Sequence, residues 1–152
     1  MIPVALGLDL GTRRIGVAFT AGSLAMPYDV ILRSGDRRID HRRVAELVEE
    51  VGAGVVVVGL PLHLDGRISP AAKSALEEAA ELGDTLPVPV ETYDERLTTV
   101  TADRWLSERN LSAAQRRKVV DQVAAAVMLQ AWLDHRLAVP PPPPAPDPSD
   151  PT

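Results

Sequence analysis

Residues 4–10 alternate in character, with Val4, Leu6, Leu8 and Leu10 on one face and Ala5, Gly7 and Asp9 on the other, which is the period of a half-buried strand. Gly11 and Thr12 offer a turn and 15–20 reads as a second strand, so the chain is expected to open with a hairpin. A third strand is expected over 28–32. The period then changes. Val44, Leu47, Val48 and Val51 fall at i, i+3, i+4 and i+7 behind Asp40 as a cap, which predicts an amphipathic helix stopped by Gly52 and Gly54. Residues 55–58 are all valine, the mark of a strand buried on both faces in a parallel sheet.

A polar loop follows to Gly66. Ser69 and Pro70 then supply a cap and a first helical position for a helix to about residue 82. Residues 88–93 predict a strand with Pro89 near its start, where a missing donor is tolerated. A helix is expected from Thr98 or Thr99 to about Arg109, and Ser112 with Gln115 has the capping-box spacing for a last helix to about Leu137. The order of three strands, helix, strand, helix, strand, helix, helix is that of an α/β fold with a mixed five-stranded sheet flanked by helices. One domain over 1–139 is expected. Residues 140–152, PPPPPAPDPSDPT, can pack nothing and predict a disordered, partly polyproline tail.

At 152 residues the chain can bury one ordinary core, built from aliphatic side chains because only 3% of it is aromatic. With no cysteine there is no disulfide scaffold and no thiolate zinc site. The N-terminus lacks the pattern of a signal peptide and no apolar run approaches the length of a membrane span, so a cytoplasmic protein without a membrane partner is expected. The net charge of −5 argues against a nucleic-acid partner, since phosphate contacts leave a basic footprint. Against this, 14 of the 16 basic residues are arginine, the better fork for phosphate oxygens. They cluster at Arg13 and Arg14, at Arg37, Arg38, Arg42 and Arg43, and at Arg116 and Arg117 beside Lys118. A solvated charged face accounts for each cluster equally well.

Three acids stand out. Asp9 ends the first strand on the face of Ala5 and Gly7, where missing side-chain volume would leave room for a ligand; an aspartate that merely opens a turn is the competing reading. Asp121 falls in a helix whose span 119–133 has only Asp121, Gln122 and Gln130 as polar residues, so its carboxylate needs a metal, a proton or an arginine partner. The third lies in Tyr93-Asp94-Glu95-Arg96 at the exit of the last strand, where open α/β sheets deliver functional groups. If that strand continues, Asp94 and Glu95 point to opposite faces, and only one can join Asp9. Three converging carboxylates would repel unless a cation sat among them. Hard oxygen ligands, with His41, His63 and His135 at no metal-ligand spacing, would make it Mg²⁺ or Mn²⁺, the ions of metal-assisted phosphodiester hydrolysis.

Four segments, DLGTRRIGVA from Asp9, VVGLPLHLDG from Val57, DERLTT from Asp94 and VVDQVAAAVMLQAWLD from Val119, together resemble the YqgF/RuvX family over the whole chain up to the proline tail. The resemblance implies a ribonuclease H-like fold. It implies a nuclease that either matures the 5′ end of precursor 16S rRNA on ribosomal particles or resolves Holliday junctions in branched DNA. Asp9, Glu95 rather than Asp94, and Asp121 are then the catalytic and metal-holding carboxylates, Arg96 orients Glu95 or holds phosphate, and Arg13 or Arg14 contacts substrate. His63 receives no role. A junction resolvase needs paired cuts and so a homodimer, whereas a single rRNA cut needs only a monomer.

Two other readings compete. Asp9-Leu10-Gly11-Thr12 with its hairpin also resembles the phosphate loop of the chaperone, actin and sugar-kinase group, but those proteins close two lobes and this chain has residues for one. A non-catalytic nucleic-acid-binding module of the same fold would have lost its acids, and here all three are present.

Overall fold

The computed structural model describes residues 2–62, 65–98 and 113–138. Strands β1 (Ala5–Leu10), β2 (Arg14–Ala21) and β3 (Leu24–Leu32) form an antiparallel meander. After helix α1 (Arg37–Val51), strand β4 (Val55–Leu60) pairs parallel to β1, and after helix α2 (Pro70–Thr85), strand β5 (Val90–Asp94) pairs parallel to β4. A short 3-10 turn (Glu95–Thr98) leaves β5, and the last described helix, α3, spans Ala113–Ala138. The sheet order is β3-β2-β1-β4-β5, the mixed five-stranded sheet expected from the sequence.

The alternation in β1 sorts its side chains between two cores. Leu6 and Leu8 pack with Val44, Leu47 and Val48 of α1 and with Ala79 and Leu82 of α2. On the opposite face, Ala5 packs with Ala126, Leu129 and Leu133 of α3. The valines of β4 are continuous because the strand is central: Val55 and Val57 belong to the α3 core, Val56 and Val58 to the α1–α2 core. Each fully buried aliphatic side chain of this kind stabilises by roughly 1.5–3 kcal/mol.

The face of Ala5 and Gly7 does not leave ligand space. A Cβ at Gly7 would stand 3.0 Å from Leu129 Cβ, so the missing volume is filled by close approach of α3. Gln130, buried in that helix, accepts from Ala25 N at 2.7 Å and donates to Ser23 O at 3.0 Å, which ties α3 to the β2–β3 turn. Trp132 is buried in the same core.

Two local expectations shift. The cap of α1 is Asp36, whose side chain accepts from Arg38 N, and not Asp40. Asp40 is buried in the first turn, where it accepts from Ser34 N at 3.0 Å; the apolar period of α1 is silent about the polar turn preceding it. Strand β3 starts at Leu24, earlier than 28, because as an edge strand it accommodates Pro27 where its register against β2 shifts. Gly52, at φ +67°, ends α1, and Ser69 caps α2 ahead of Pro70, as expected. The expected helix ending near Arg109, Ser112, His63, Trp105 and the proline-rich segment lie outside the described residues.

One ion network holds α1 and α2 to the loop after β1. Glu78 of α2, only 2% exposed, receives both Arg33 Nη atoms at 2.9 Å, and His41 Nε2 of α1 lies 2.7 Å from its Oε2. Arg33 also donates Nε to Gly11 O at 2.8 Å and its backbone N to Arg13 O at 2.9 Å. Burial alone would push the Glu78 carboxyl up, but the hydrogen bonds and charges of Arg33 and His41 together hold it below the ordinary 4.5. Its contribution to stability is therefore present above about pH 4.5 and declines as pH falls through the lower folded value. Glu78→Gln, which strands a half-buried guanidinium, is expected to cost about 3 kcal/mol in urea unfolding at pH 7, and less than half of that at pH 3. Equal losses at both pH values would show that the carboxylate charge is not what the network uses.

Candidate active site

Asp9 is the fifth residue of β1. The paired residues of β1 and β4 end at Leu8 and Val58, so one further step of the parallel register sets Asp9 beside Gly59. On its other side Asp9 pairs with Gly16 of β2. Gly59 pairs with Tyr93 and Leu60 with Asp94, after which β5 ends and Glu95 opens the 3-10 turn. That turn folds Glu95 back over β4. A Cβ on Gly59 would lie 2.5 Å from Glu95 Oε1 and 3.1 Å from its Cγ, so the site of the carboxylate exists only because residue 59 has no side chain.

In this position Glu95 and Asp9 share a hydrogen bond. Burial, the Asp9 charge, that hydrogen bond and the charge of Asp94 push the Glu95 carboxyl up to about 7. Asp9 is also raised, mainly by burial, with the bond from Glu95 opposing the rise. The directions place the shared proton on Glu95, with Asp9 accepting: the pair behaves as one site because two adjacent carboxylates cannot both ionise cheaply.

Asp94 goes elsewhere. Its carboxylate takes Arg96 Nε at 2.9 and 3.0 Å and Arg96 N at 3.0 Å, and these bonds hold it below the ordinary carboxylate range. The 3-10 turn that replaces a continuing strand thus separates the two acids: Asp94 clamps the turn through Arg96, and Glu95 meets Asp9. Arg96 also packs beneath Gly66, where a Cβ would sit 3.3 Å from its Nη1.

Arg13, on the loop that follows Asp9, and Arg14, the first residue of β2, stand exposed at the same end of the sheet as Asp9. Asp121 lies in α3, and its side chain is outside the described residues. Its backbone place is fixed by the helix: Leu129 covers Gly7 and Ala125 covers Gly16, the partner of Asp9. Residue 121 is one turn further along that stripe, toward the end of the sheet where Asp9 and Glu95 meet. Among the described residues no three His, Cys, Asp or Glu side chains form a metal-binding group.

Sequence reasoning passed over Gly59 and the Arg33–Glu78–His41 network. A glycine inside an otherwise unbroken run of buried strand residues was the available signal for the first. Nothing local marks the second, since its members are separated by up to 45 residues.

The family model described as "RuvX: Holliday junction resolvase" matches residues 3–135. A protein of Pelotomaculum thermopropionicum is 44% identical over 131 residues, 85% of either chain, and one of Mycobacteroides abscessus is 45% identical over 134 residues, 86% of this chain and 81% of that one. A Mycobacterium ulcerans relative is 48% identical over 135 residues, 86% and 78% of the two chains; all three bear the name "Putative pre-16S rRNA nuclease". Among solved structures, Thermus thermophilus RuvC in complex with a Holliday junction superposes with a TM-score of 0.57 at 18% identity, covering 89% of this chain and 96% of that one. A further structure of Thermus thermophilus RuvC superposes with a TM-score of 0.53 at 16% identity, covering 88% of this chain and 96% of that one. At such identities the structures speak for the fold alone, which is the ribonuclease H-like fold. Because the model match runs through β1, β4, β5 and most of α3, the elements that carry the acid pair and its neighbours, this chain belongs to the RuvX family.

Proposed function

We propose that the protein is a cytoplasmic, metal-dependent nuclease that hydrolyses phosphodiester bonds in structured nucleic acid, processing the 5′ end of precursor 16S rRNA. The observation that carries this reading is the Asp9–Glu95 pair: two carboxylates kept in contact at the end of a sheet, one of them driven up to about 7. The names of the relatives supply the substrate.

The donor set fits a divalent cation. Hard oxygens facing one another, under repulsion that a cation would relieve, suit Mg²⁺ or Mn²⁺. Asp9 and Glu95 would hold it, joined by Asp121 from the stripe of α3 that leads to the same end of the sheet. The chemistry available with such an ion bound is activation of water and neutralisation of charge on the leaving oxygen. Gly59 lets Glu95 reach Asp9, and the Asp94–Arg96 clamp fixes the turn from which Glu95 projects. Arg13 and Arg14, exposed beside the acids, would take flanking phosphates. One cut in rRNA needs one such site, so a monomer suffices.

Junction resolution is the second reading, favoured by the description of the family model. It requires two sites in a homodimer, so the two readings separate on substrate and on solution mass. The deciding assay sets a four-way DNA junction beside precursor 16S RNA in a ribosomal particle, each labelled, with Mg²⁺ or Mn²⁺. Wild type is expected to cut the RNA, and a failure to cut either substrate would remove the nuclease reading. Asp9→Asn, Glu95→Gln and Asp121→Asn are each expected to lower single-turnover cleavage more than about 100-fold without loss of folding, and a fully active variant would strike that residue from the site. Gly59→Ala, which displaces Glu95 without removing it, is expected to cost about 100-fold.

The acid pair also predicts a pH signature in the metal-free protein. The unfolded chain releases the Glu95 proton near 4.5 and the folded chain near 7, so stability falls as pH rises between those values, by about 3 kcal/mol when complete. Addition of Mg²⁺ or Mn²⁺ at pH 8 is expected to restore the melting temperature, and Glu95→Gln to abolish both the fall and the restoration. A melting temperature indifferent to divalent ions at pH 8 would contradict metal binding by the pair.

A further inference from the structure

The described arginines fall into two groups. Arg33, Arg43, Arg67, Arg96 and Arg136 are among those that hold a carboxylate. Among the described residues, Arg13, Arg14 and Arg42 form no ion pair, and all three are exposed. The cluster at 37–43 therefore divides. Arg43 turns to Asp29, Glu46 and Glu50 and is the solvated, neutralised face, whereas Arg42 on the other side of α1 faces a furrow.

That furrow consists of two cavities that share Arg37 as a lining residue. A cavity of about 250 Å³ opens beside the loop after β1, between Gly11, Thr12 and Arg33 on one side and Arg37 and Ser74 on the other. A second, of about 440 Å³, continues between α1 and α2, lined by Arg37, Arg38, His41 and Arg42 opposite Glu81 and Thr85. Arg37 belongs to both. Of the acids that line it, Glu78 is buried beneath Arg33 and His41, and Glu81 is paired with Arg37 at 3.0 Å. Arg38 is paired with Asp36 at 3.4 Å, so Arg33, Arg37, Arg38 and Arg42 against Glu78, Glu81 and Asp36 leave the furrow with one positive charge in excess, in a chain whose net charge is −5. From Arg37 to Ala45 it follows about 12 Å of helix. Its mouth at Gly11 and Thr12 lies two residues from Asp9, and the exposed Arg13 and Arg14 follow directly in the chain.

We propose that this furrow is a phosphodiester track that receives one strand of the nucleic-acid substrate after it passes over the end of β1 from the acid pair, with Arg42 its farthest contact. The proposal rests on the nuclease reading for the identity of the ligand. Paired guanidinium groups still have N–H donors to spare, so Arg37 and Arg38 can contact phosphate without leaving their carboxylates, and Arg42, which feels the charge of Asp36 without an ion pair to it, contributes a further exposed positive charge.

The test is fluorescence anisotropy of the full chain in EDTA with a labelled single-stranded RNA spanning the 5′ cut region of precursor 16S RNA, and with DNA of the same sequence, at several salt concentrations. Arg42→Ala is expected to weaken binding about five- to tenfold and to lower the slope of log K against log salt by about 0.7 to 1. Arg42→Glu is expected to weaken it further, and Arg136→Ala, at a paired arginine outside the furrow, to change nothing. Thermal melts of each variant exclude unfolding, since Arg42 is exposed. Tighter binding of RNA than DNA assigns the track to RNA, and equal binding assigns it to the shared backbone. If both Arg42 variants bind as wild type does at every salt concentration, the track is overturned. Wild-type cleavage with metal, abolished by Asp9→Asn, is scored in parallel. Cutting with unchanged Arg42 binding removes the track and keeps the nuclease, while weakened Arg42 binding without any cutting keeps the track and removes the nuclease.

Discussion

Two carboxylates that repel each other are held in contact at the end of β1, and most of the fold can be read as the apparatus that keeps them there. Asp9 is fixed by antiparallel pairing with Gly16 and follows Leu8, the last residue of β1 paired in parallel with β4, so its backbone is anchored in the middle of the sheet. Glu95 is set by the end of β5 and the turn that follows, and it reaches Asp9 across a residue without a side chain. Burial first, and then the charge of Asp9, push the Glu95 carboxyl far above its ordinary value, and the proton it thereby keeps relieves the repulsion. A rigid scaffold is a condition for such a site, since a loose one would let the acids separate.

The same economy of volume governs the packing. Where β1 lacks side chains on one face, α3 descends until Leu129 nearly touches Gly7; where β4 lacks one, a carboxylate occupies the gap. Glycine does two different things in adjacent central strands. In β1 it sets the distance between sheet and helix, and in β4 it sets the position of the Glu95 carboxylate. The buried valines beside it provide the stiffness on both faces.

Charge is distributed with similar selectivity. Arg33 joins the loop after Asp9 to Glu78 and, through it, to His41, so an internal ion network braces the segment that follows the first acid. Truncating one member of such a network is costly because the remaining charge stays behind. Against this background of paired groups, Arg13, Arg14 and Arg42, which form no ion pair among the described residues, are conspicuous. A protein with net negative charge can still present a local positive surface, since screening confines the influence of distant acids to about 8–10 Å.

Much of this was legible in the chain itself. Alternation, unbroken valine, Ser69-Pro70 and Gly52 are local signals, and they determined the five strands, the first two helices and the mixed sheet, because a side chain's burial follows from its phase along its own element. Four motifs in order pointed to the RuvX family and named Asp9 and Glu95. The choice of Asp36 over Asp40 as cap escaped, because apolar periodicity carries no information on the polar turn before a helix. The filling of the Gly7 space by α3, the Glu95 pocket at Gly59 and the junction of Arg33 with Glu78 were decided only in three dimensions. Each joins residues 36 to 122 positions apart, and nothing in a local sequence pattern states which strand ends become neighbours once β4 inserts between β1 and β5.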